Sequence, residues 1–570
     1  MEETAIRFEN FGFQYKVQQT PTLYDINLTI HKGEKVLILG SSGSGKSTLA
    51  NCINGLIPFS NEGTITGSVT VNGVETTSAS IHALSKMVGT VLQDSDAQFV
   101  GLSVGEDIAF VMENEAIPRS EMVPVVYRHA SVVGMQEFIG AVPFDLSGGQ
   151  KQKVAIAGVL GSDVSILIFD EPLASLDPQM GQTAVELIDN LSQNGDHTVI
   201  IIEHRLEDVL HRRVDRVILM SEGRIVSDSQ PDELLMSTLL NDYGIREPLY
   251  ITAMKYAGCG ISGNSHLCDI HCIEFTQDNR KKLIKFFSGD PPVRQACAGE
   301  EVIRFEGVDF AYDEGVNVLG DVSFSIHKGE RIAVIGKNGA GKSTTAKLIC
   351  GIERPQKGCV YIGGQNAKSL SVKEIGEHVG YVMQNPNQMI LKDTIKKEVE
   401  FALTIRGTGA DEIRERATAA LNACGLYTMR NWPVDTVSYG QKKRITVASI
   451  LVLHPDVLIL DEPSAGQDYK SYMEIMRFIE TLNREYGITI LFITHDMHLA
   501  LENTDRAIVF SDGRLIADDR VFSVLANDDV IQRANLKQTS LYTLALRLGL
   551  PPEQVIWRFI EHERSVRVGE

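Results

Sequence analysis

Gly40-Ser41-Ser42-Gly43-Ser44-Gly45-Lys46-Ser47-Thr48 has a near twin in Gly336-Lys337-Asn338-Gly339-Ala340-Gly341-Lys342-Ser343-Thr344. Each run lies between a strand-length apolar stretch, such as Val36 to Leu39, and residues with helical spacing, so each reads as a glycine-rich strand-to-helix turn. Glycines let the backbone curl until successive N–H groups converge on phosphate oxygens, and the helix dipole adds positive potential there. Lys46 and Lys342 are then placed to reach the β and γ phosphates, while Ser47 and Ser343 offer a hydroxyl to Mg²⁺. ATP and Mg²⁺ are the expected ligands.

The similarity extends outward from these turns. His31-Lys32-Gly33-Glu34 returns as His327-Lys328-Gly329-Glu330, and the same spacing carries Lys46 onto Lys342. After one short length difference around Leu56 to Gly67, a second constant spacing carries Gln93 onto Gln384, Ser147 onto Ser438, Asp170 onto Asp461 and His204 onto His495. The tails Ile245 to Gly258 and Leu536 to Gly549 keep it too. The expected organisation is residues 1–258 as one domain with a C-terminal extension, 259–300 as a linker, and 301–570 as the second copy. Short apolar strands alternate with amphipathic helical stretches in each copy, the pattern of an α/β fold with a largely parallel sheet.

Ile166-Leu167-Ile168-Phe169-Asp170-Glu171 and Val457-Leu458-Ile459-Leu460-Asp461-Glu462 are apolar strands ending in paired carboxylates. A buried strand delivering an acid to its C-terminal edge puts Asp170 or Asp461 near the Mg²⁺ of the phosphate loop. The next residue, Glu171 or Glu462, leaves the strand differently and can serve as general base for the attacking water.

Bulk properties narrow the rest. The 570 residues carry a formal charge of -20, which disfavours a partner met mainly through a phosphate backbone, so no nucleic acid is expected. Met1 to Asn10 holds three glutamates and no apolar core, unlike a signal peptide. No apolar run approaches the roughly 18 residues that span a bilayer. The eight cysteines form no small-domain disulfide framework. Cys259, His266, Cys268, His271 and Cys272 are dense in Cys and His, yet their spacing fits no common metal site.

Leu146-Ser147-Gly148-Gly149-Gln150 and Val437-Ser438-Tyr439-Gly440-Gln441 resemble the signature of the ATP-binding-cassette family, and the resemblance covers nearly the whole chain outside the linker. It implies two tandem nucleotide-binding domains, each with an antiparallel β subdomain, a helical signature subdomain and a small helical extension. It also implies that each ATP lies between the P-loop of one half and the signature of the other. One site then joins Lys46, Asp170, Glu171 and His204 to Ser438, Gly440 and Gln441; the other joins Lys342, Asp461, Glu462 and His495 to Ser147, Gly148, Gly149 and Gln150. His204 and His495 match the switch histidine, Asp177 and Asp468 the D-loop, and Tyr15 and Tyr312 the aromatic that stacks on adenine. Gln93 and Gln384 match the glutamine that senses Mg²⁺ and the membrane partner, giving metal sets Ser47, Gln93, Asp170 and Ser343, Gln384, Asp461.

Asp94-Ser95-Asp96-Ala97-Gln98-Phe99, Glu203-His204-Arg205 and the paired C-terminal extensions are similar to energy-coupling factor transporter ATPases. That likeness implies ATP hydrolysis driving an importer for a vitamin, vitamin precursor or metal ion. It implies an integral-membrane coupling subunit and a small membrane substrate-binding subunit on other chains, with this chain at the cytoplasmic face of the cell membrane. Phe99 and Met389 are the expected apolar contacts for a partner helix. A tandem-cassette ribosome-associated ATPase is the alternative, against which stand the short linker and acidic charge. Tyr439 departs from the pattern where Gly148 keeps it, and its bulk is expected to slow the Lys46 site that Ser438 closes.

Overall fold

Residues 3–93, 95–161, 164–173, 176–194, 197–260, 266–292, 299–312, 317–464 and 467–569 are described by a computed structural model. In the first half, strands β1 (Thr4–Tyr15) and β2 (Leu23–His31) pair antiparallel and turn Ile6, Phe8, Phe11, Phe13, Leu23 and Ile26 into a shared core. The next strand, β3 (Lys35–Gly40), is buried throughout. An unbroken apolar run suits a strand covered on both faces, and β3 lies inside a second sheet. Strands β4 (Gly63–Val71) and β5 (Val74–Glu75) complete the antiparallel sheet in the order β2-β1-β4-β5.

The second sheet adds β6 (Val88–Val91), β7 (Ile166–Asp170), β8 (Thr198–Ile202), β9 (Arg216–Ser221) and β10 (Arg224–Ser229) in the order β10-β9-β3-β8-β7-β6. All its neighbours are parallel except β9 and β10. Between β6 and β7, the helices Val104–Asn114, Arg119–Val132 and Gly148–Leu160 pack on one another as a helical subdomain.

The second half repeats this plan. Strands β11 (Glu301–Ala311), β12 (Asn317–His327), β13 (Arg331–Ile335), β14 (Lys357–Ile362) and β15 (Gln365–Asn366) include an antiparallel sheet ordered β12-β11-β14-β15. With β16 (Val379–Val382), β17 (Val457–Asp461), β18 (Thr489–Thr494), β19 (Arg506–Ser511) and β20 (Arg514–Arg520), β13 forms the sheet β16-β17-β18-β13-β19-β20. The expected helical extensions are present as Leu249–Tyr256 in the first half and as Ser540–Leu548 and Pro552–Gly569 in the second. Among the described residues no helix is long and apolar enough to cross a membrane.

The chain separates into two compact units, Met1–Asn279 and Arg280–Glu570, so the stretch expected as a linker is shared between them. Leu267 and Ile273 are fully buried in the first unit, where the Tyr250 hydroxyl donates to the Leu267 carbonyl at 2.6 Å. Phe287 is buried in the second, and its carbonyl accepts from Gln554 at 2.7 Å. The helix Gln277–Phe286 spans the division.

One ion pair separates the two copies energetically. Lys35 on β3 meets Asp189 at 2.7 Å with side chains only 4% and 11% exposed; the equivalent Arg331 and Glu480 are 3.5 Å apart with Glu480 42% exposed. Removing one member of a buried pair strands the other charge, whereas an exposed pair loses little. Asp189→Ala is therefore expected to cost about 3 kcal/mol and Glu480→Ala less than about 1 kcal/mol, read from denaturant midpoints on the intact chain.

Candidate active site

Both glycine-rich turns fold as the sequence demands. Gly45 and Gly341 precede the helices Lys46–Ile53 and Lys342–Ile349 with φ of 101°, a region that L side chains avoid. A Cβ on Gly40 would sit 2.4 Å from the Met220 carbonyl oxygen, and one on Gly336 would sit 2.3 Å from that of Phe510. The Lys46 ammonium lies across its loop, donating to the carbonyls of Gly40 at 2.8 Å and Ser41 at 2.9 Å. Lys342 does the same with Gly336 and Lys337 at 2.7 and 3.0 Å. The remaining loop residues, Ser42, Gly43, Ser44 and Ser47–Thr48 with their equivalents Asn338, Gly339, Ala340 and Ser343–Thr344, complete the two cradles.

The acids arrive as expected. Asp170 ends β7 with a carboxylate oxygen 3.4 Å from the Ser47 hydroxyl, and Asp461 ends β17 at 3.4 Å from that of Ser343. Hydroxyl and carboxylate oxygens are hard donors of the kind Mg²⁺ takes, so the residues present fit that ion. Burial is the main influence on both aspartates and raises each above its ordinary range; Ser47 and Lys46 oppose it in one, Tyr381 and Ser343 in the other.

At the following residue the backbone turns sharply, with φ of 49° at Glu171 and 45° at Glu462. Glu171 meets His204 Nε2 at 2.7 Å, and Glu462 meets His495 Nδ1 at 2.7 Å. Burial tends to raise Glu171, but the hydrogen bond and charge of His204, with Lys46, outweigh it and hold this carboxyl below its ordinary range. An ionised carboxylate bonded to a histidine is suited to accept a proton.

The other expected residues divide by half. Gln93 donates to Glu171 at 2.6 Å, so its amide meets the glutamate rather than the Ser47–Asp170 pair. In the second half, the carbonyl of Gln384 accepts from the Tyr439 hydroxyl at 3.2 Å. Tyr15 and Tyr312 lie against the first turn of the P-loop helices, their hydroxyls 3.1 and 3.3 Å from Thr48 and Thr344. Asp177 and Asp468 are buried and accept from the N–H of Met180 and Ser471 at 2.9 and 2.8 Å. The signature motifs are capping boxes: Ser147 with Gln150 heads the helix Gly148–Leu160, and Ser438 with Gln441 heads Tyr439–Leu451. Gly149 packs where a Cβ would meet the Met180 sulfur at 2.6 Å, while the equivalent Gly440 has the Ser471 Cβ at 3.9 Å.

Several contacts at the site were not read from the sequence. The Tyr381 hydroxyl donates to Asp461 at 2.7 Å, and that of Thr494 to Glu462 at 3.2 Å. Glu203 accepts from the Leu173 N–H at 2.8 Å, and Arg205 donates to the Leu173 carbonyl, fixing the turn after Glu171 from both sides. Lys443 is buried and donates to the carbonyls of Glu462 and Pro463; burial lowers its pKa to about 8, with Glu462 and Asp461 opposing. Comparing unequal residues across the repeat, such as Thr90 with Tyr381 and Gln152 with Lys443, was the available signal.

Phe99 and Met389 are less open than expected. Phe99 is half-buried with its ring edge-on to Phe144, and the Met389 sulfur accepts from the Met383 N–H at 3.2 Å while packing on the core. Their neighbours Val100, Leu102 and Leu391 are the exposed apolar side chains. In the former linker, Cys272 donates to Asp269 at 3.0 Å and the Cys268 N–H to Asp232 at 3.0 Å. Among the described residues no group of three or more His, Cys, Asp or Glu side chains could hold a metal ion.

Residues 23–174 and 319–465 match the family model described as ABC transporter, and 237–310 match one described as ATP-binding cassette cobalt transporter. A protein of Enterococcus faecalis named as an ABC transporter ATP-binding protein is 52% identical over 571 residues, covering 100% of both chains. One of Clostridium perfringens with the same description is 50% identical over 569 residues, again 100% of both. Among solved structures, cbiO1 of Clostridium perfringens, described as part of the ABC transporter complex cbiONQ, is 32% identical. It covers 41% of this chain and 95% of its own, with a TM-score of 0.39.

Replacing Glu171 or Glu462 by Gln keeps shape and removes the carboxylate that meets the histidine. Each change is expected to lower single-turnover ATP cleavage about a hundredfold to ten-thousandfold while leaving nucleotide binding intact, as measured by filter binding beside product release.

Proposed function

Because this chain belongs to the ATP-binding-cassette transporter family, we propose that it is the energy-coupling ATPase of an importer of the energy-coupling factor type. It is an ATPase built from two tandem cassettes. The observation that carries it is the double convergence of lysine, serine, aspartate, glutamate and histidine at the ends of buried strands.

In this reading the N–H groups of each glycine-rich turn hold the phosphates, and Lys46 or Lys342 exchanges its loop carbonyls for phosphate oxygens. Ser47 with Asp170, and Ser343 with Asp461, would hold Mg²⁺, which when bound would neutralise phosphate charge. Glu171 or Glu462 orients and deprotonates water, and His204 or His495 fixes that carboxylate and senses the γ-phosphate. The helix dipole behind Ser147 or Ser438 attracts the phosphates bound to the other half. Binding then favours closure because that contact exists only in the closed pair, and cleavage removes it.

The load is proposed to be a polytopic coupling subunit and a small substrate-binding membrane protein, meeting this chain at the cytoplasmic membrane face. Exposed Val100, Leu102 and Leu391, in the segments that follow the two glutamines, support this, since a partner helix can bury them. The cargo is a vitamin, vitamin precursor or metal ion, and the cobalt-transporter description matched at 237–310 favours the metal ion.

Purified protein is expected to hydrolyse ATP with Mg²⁺ and to lose turnover when Lys46 and Lys342 are both replaced by Ala. In cell lysates it is expected to sediment with membranes and co-purify with small polytopic proteins in detergent; recovery in ribosomal pellets instead would reject the transport assignment.

A further inference from the structure

Two pairs of equivalent positions on the signature helices differ together. The first half has Gly148 and Gln152; the second has Tyr439 and Lys443. Gln152 is a neutral side chain that donates to the Pro172 carbonyl. Lys443 puts an ammonium in the same buried place, where it donates to the carbonyls of Glu462 at 3.2 Å and Pro463 at 2.7 Å. A buried charge needs more compensation than an amide. The Tyr439 ring, one helical turn back, supplies it, with its centroid 5.5 Å from the ammonium.

The tyrosine has a second contact. Its hydroxyl donates to the Gln384 carbonyl at 3.2 Å, and the neighbouring Lys442 donates to Asn387 at 3.0 Å. In the first half, Lys151 pairs with Asp96 at 2.8 Å, and the Gln93 side chain reaches Glu171 directly at 2.6 Å. Within the second unit an unbroken chain of contacts therefore runs from the Gln384 carbonyl through Tyr439 and Lys443 to the Glu462 carbonyl.

We propose that Tyr439 and Lys443 are positioning residues that couple the Gln384 segment to the turn bearing Glu462, doing by relay in the second half what Gln93 does by direct contact in the first. This rests on the reading of Glu462 as general base. It moves the consequence of Tyr439 from the Lys46 site, where the sequence alone put it, to the Lys342 site of its own half.

The test uses the full chain and Tyr439→Phe, which keeps the ring over Lys443 and removes only the hydroxyl, beside Tyr439→Gly. Amide hydrogen exchange is followed at residues 383–391 and 92–100, together with kcat, KM for ATP and thermal midpoint. Tyr439→Phe is expected to speed exchange at 383–391 about threefold to tenfold, the effect of one lost hydrogen bond, with 92–100 unchanged. It is expected to lower kcat by a similar factor with KM and midpoint unmoved. Unchanged exchange at 383–391, or faster exchange with full kcat, overturns the proposal. Tyr439→Gly also removes the ring over Lys443 and is expected to lower kcat at least as far, so full kcat in Tyr439→Gly overturns the proposal too. Failure of the unaltered chain to hydrolyse ATP would sink the functional reading instead, and the exchange result would still decide whether the hydroxyl ties down the Gln384 segment.

Discussion

At the ends of β7 and β17 the backbone takes a positive φ on a glutamate while its N–H still bonds a neighbouring strand, Ile202 or Ile493, at 2.9 Å. Such a conformation costs a non-glycine residue about 1–3 kcal/mol, and only a well-packed surround can hold it. The turn is what separates two adjacent carboxylates by function. Asp170 and Asp461 stay in strand register and face the P-loop serine; Glu171 and Glu462 swing to the histidine after the next strand. With it, neighbouring carboxylates reach the serine and the histidine separately. The parallel order of the strands is the other half of the arrangement, since it brings P-loop, acids and histidine to one edge.

The signature motifs are first of all helix caps. Ser147 and Gln150, like Ser438 and Gln441, satisfy each other's backbone groups and so define where a helix of thirteen residues begins. The same local bonds leave that helix end oriented as an anion-attracting pole. In the proposed function, stability and recognition are two uses of one cap.

Much of this was legible before any coordinates. The P-loop glycines report their backbone angles, the apolar runs report buried parallel strands, and the internal spacing reports the duplication. What stayed hidden depends on neighbours far apart in the chain. Tyr381 reads as an ordinary strand aromatic until Asp461 lies beside it. Tyr439 reads as bulk on a phosphate-facing turn until Gln384 is found at its hydroxyl. The stretch 259–300 reads as a uniform connector because its apolar residues are sparse; Leu267, Ile273, Leu283 and Phe287 are nonetheless fully buried, each within its own unit. Phe99 and Met389 read as open apolar side chains, but those left open are the flanking ones, because an aromatic partner claims the first and the hydrophobic core the second.

Carrying both cassettes on one polypeptide has an evolutionary corollary. In a symmetric pair of identical subunits every substitution is expressed twice, so a tyrosine in the signature would alter both nucleotide positions at once. Fusion guarantees equal numbers of the two copies and lets each diverge under its own selection. The exchange of Gly148 and Gln152 for Tyr439 and Lys443 is a change that such a chain can keep in one copy alone, leaving the other copy's helix end as it was.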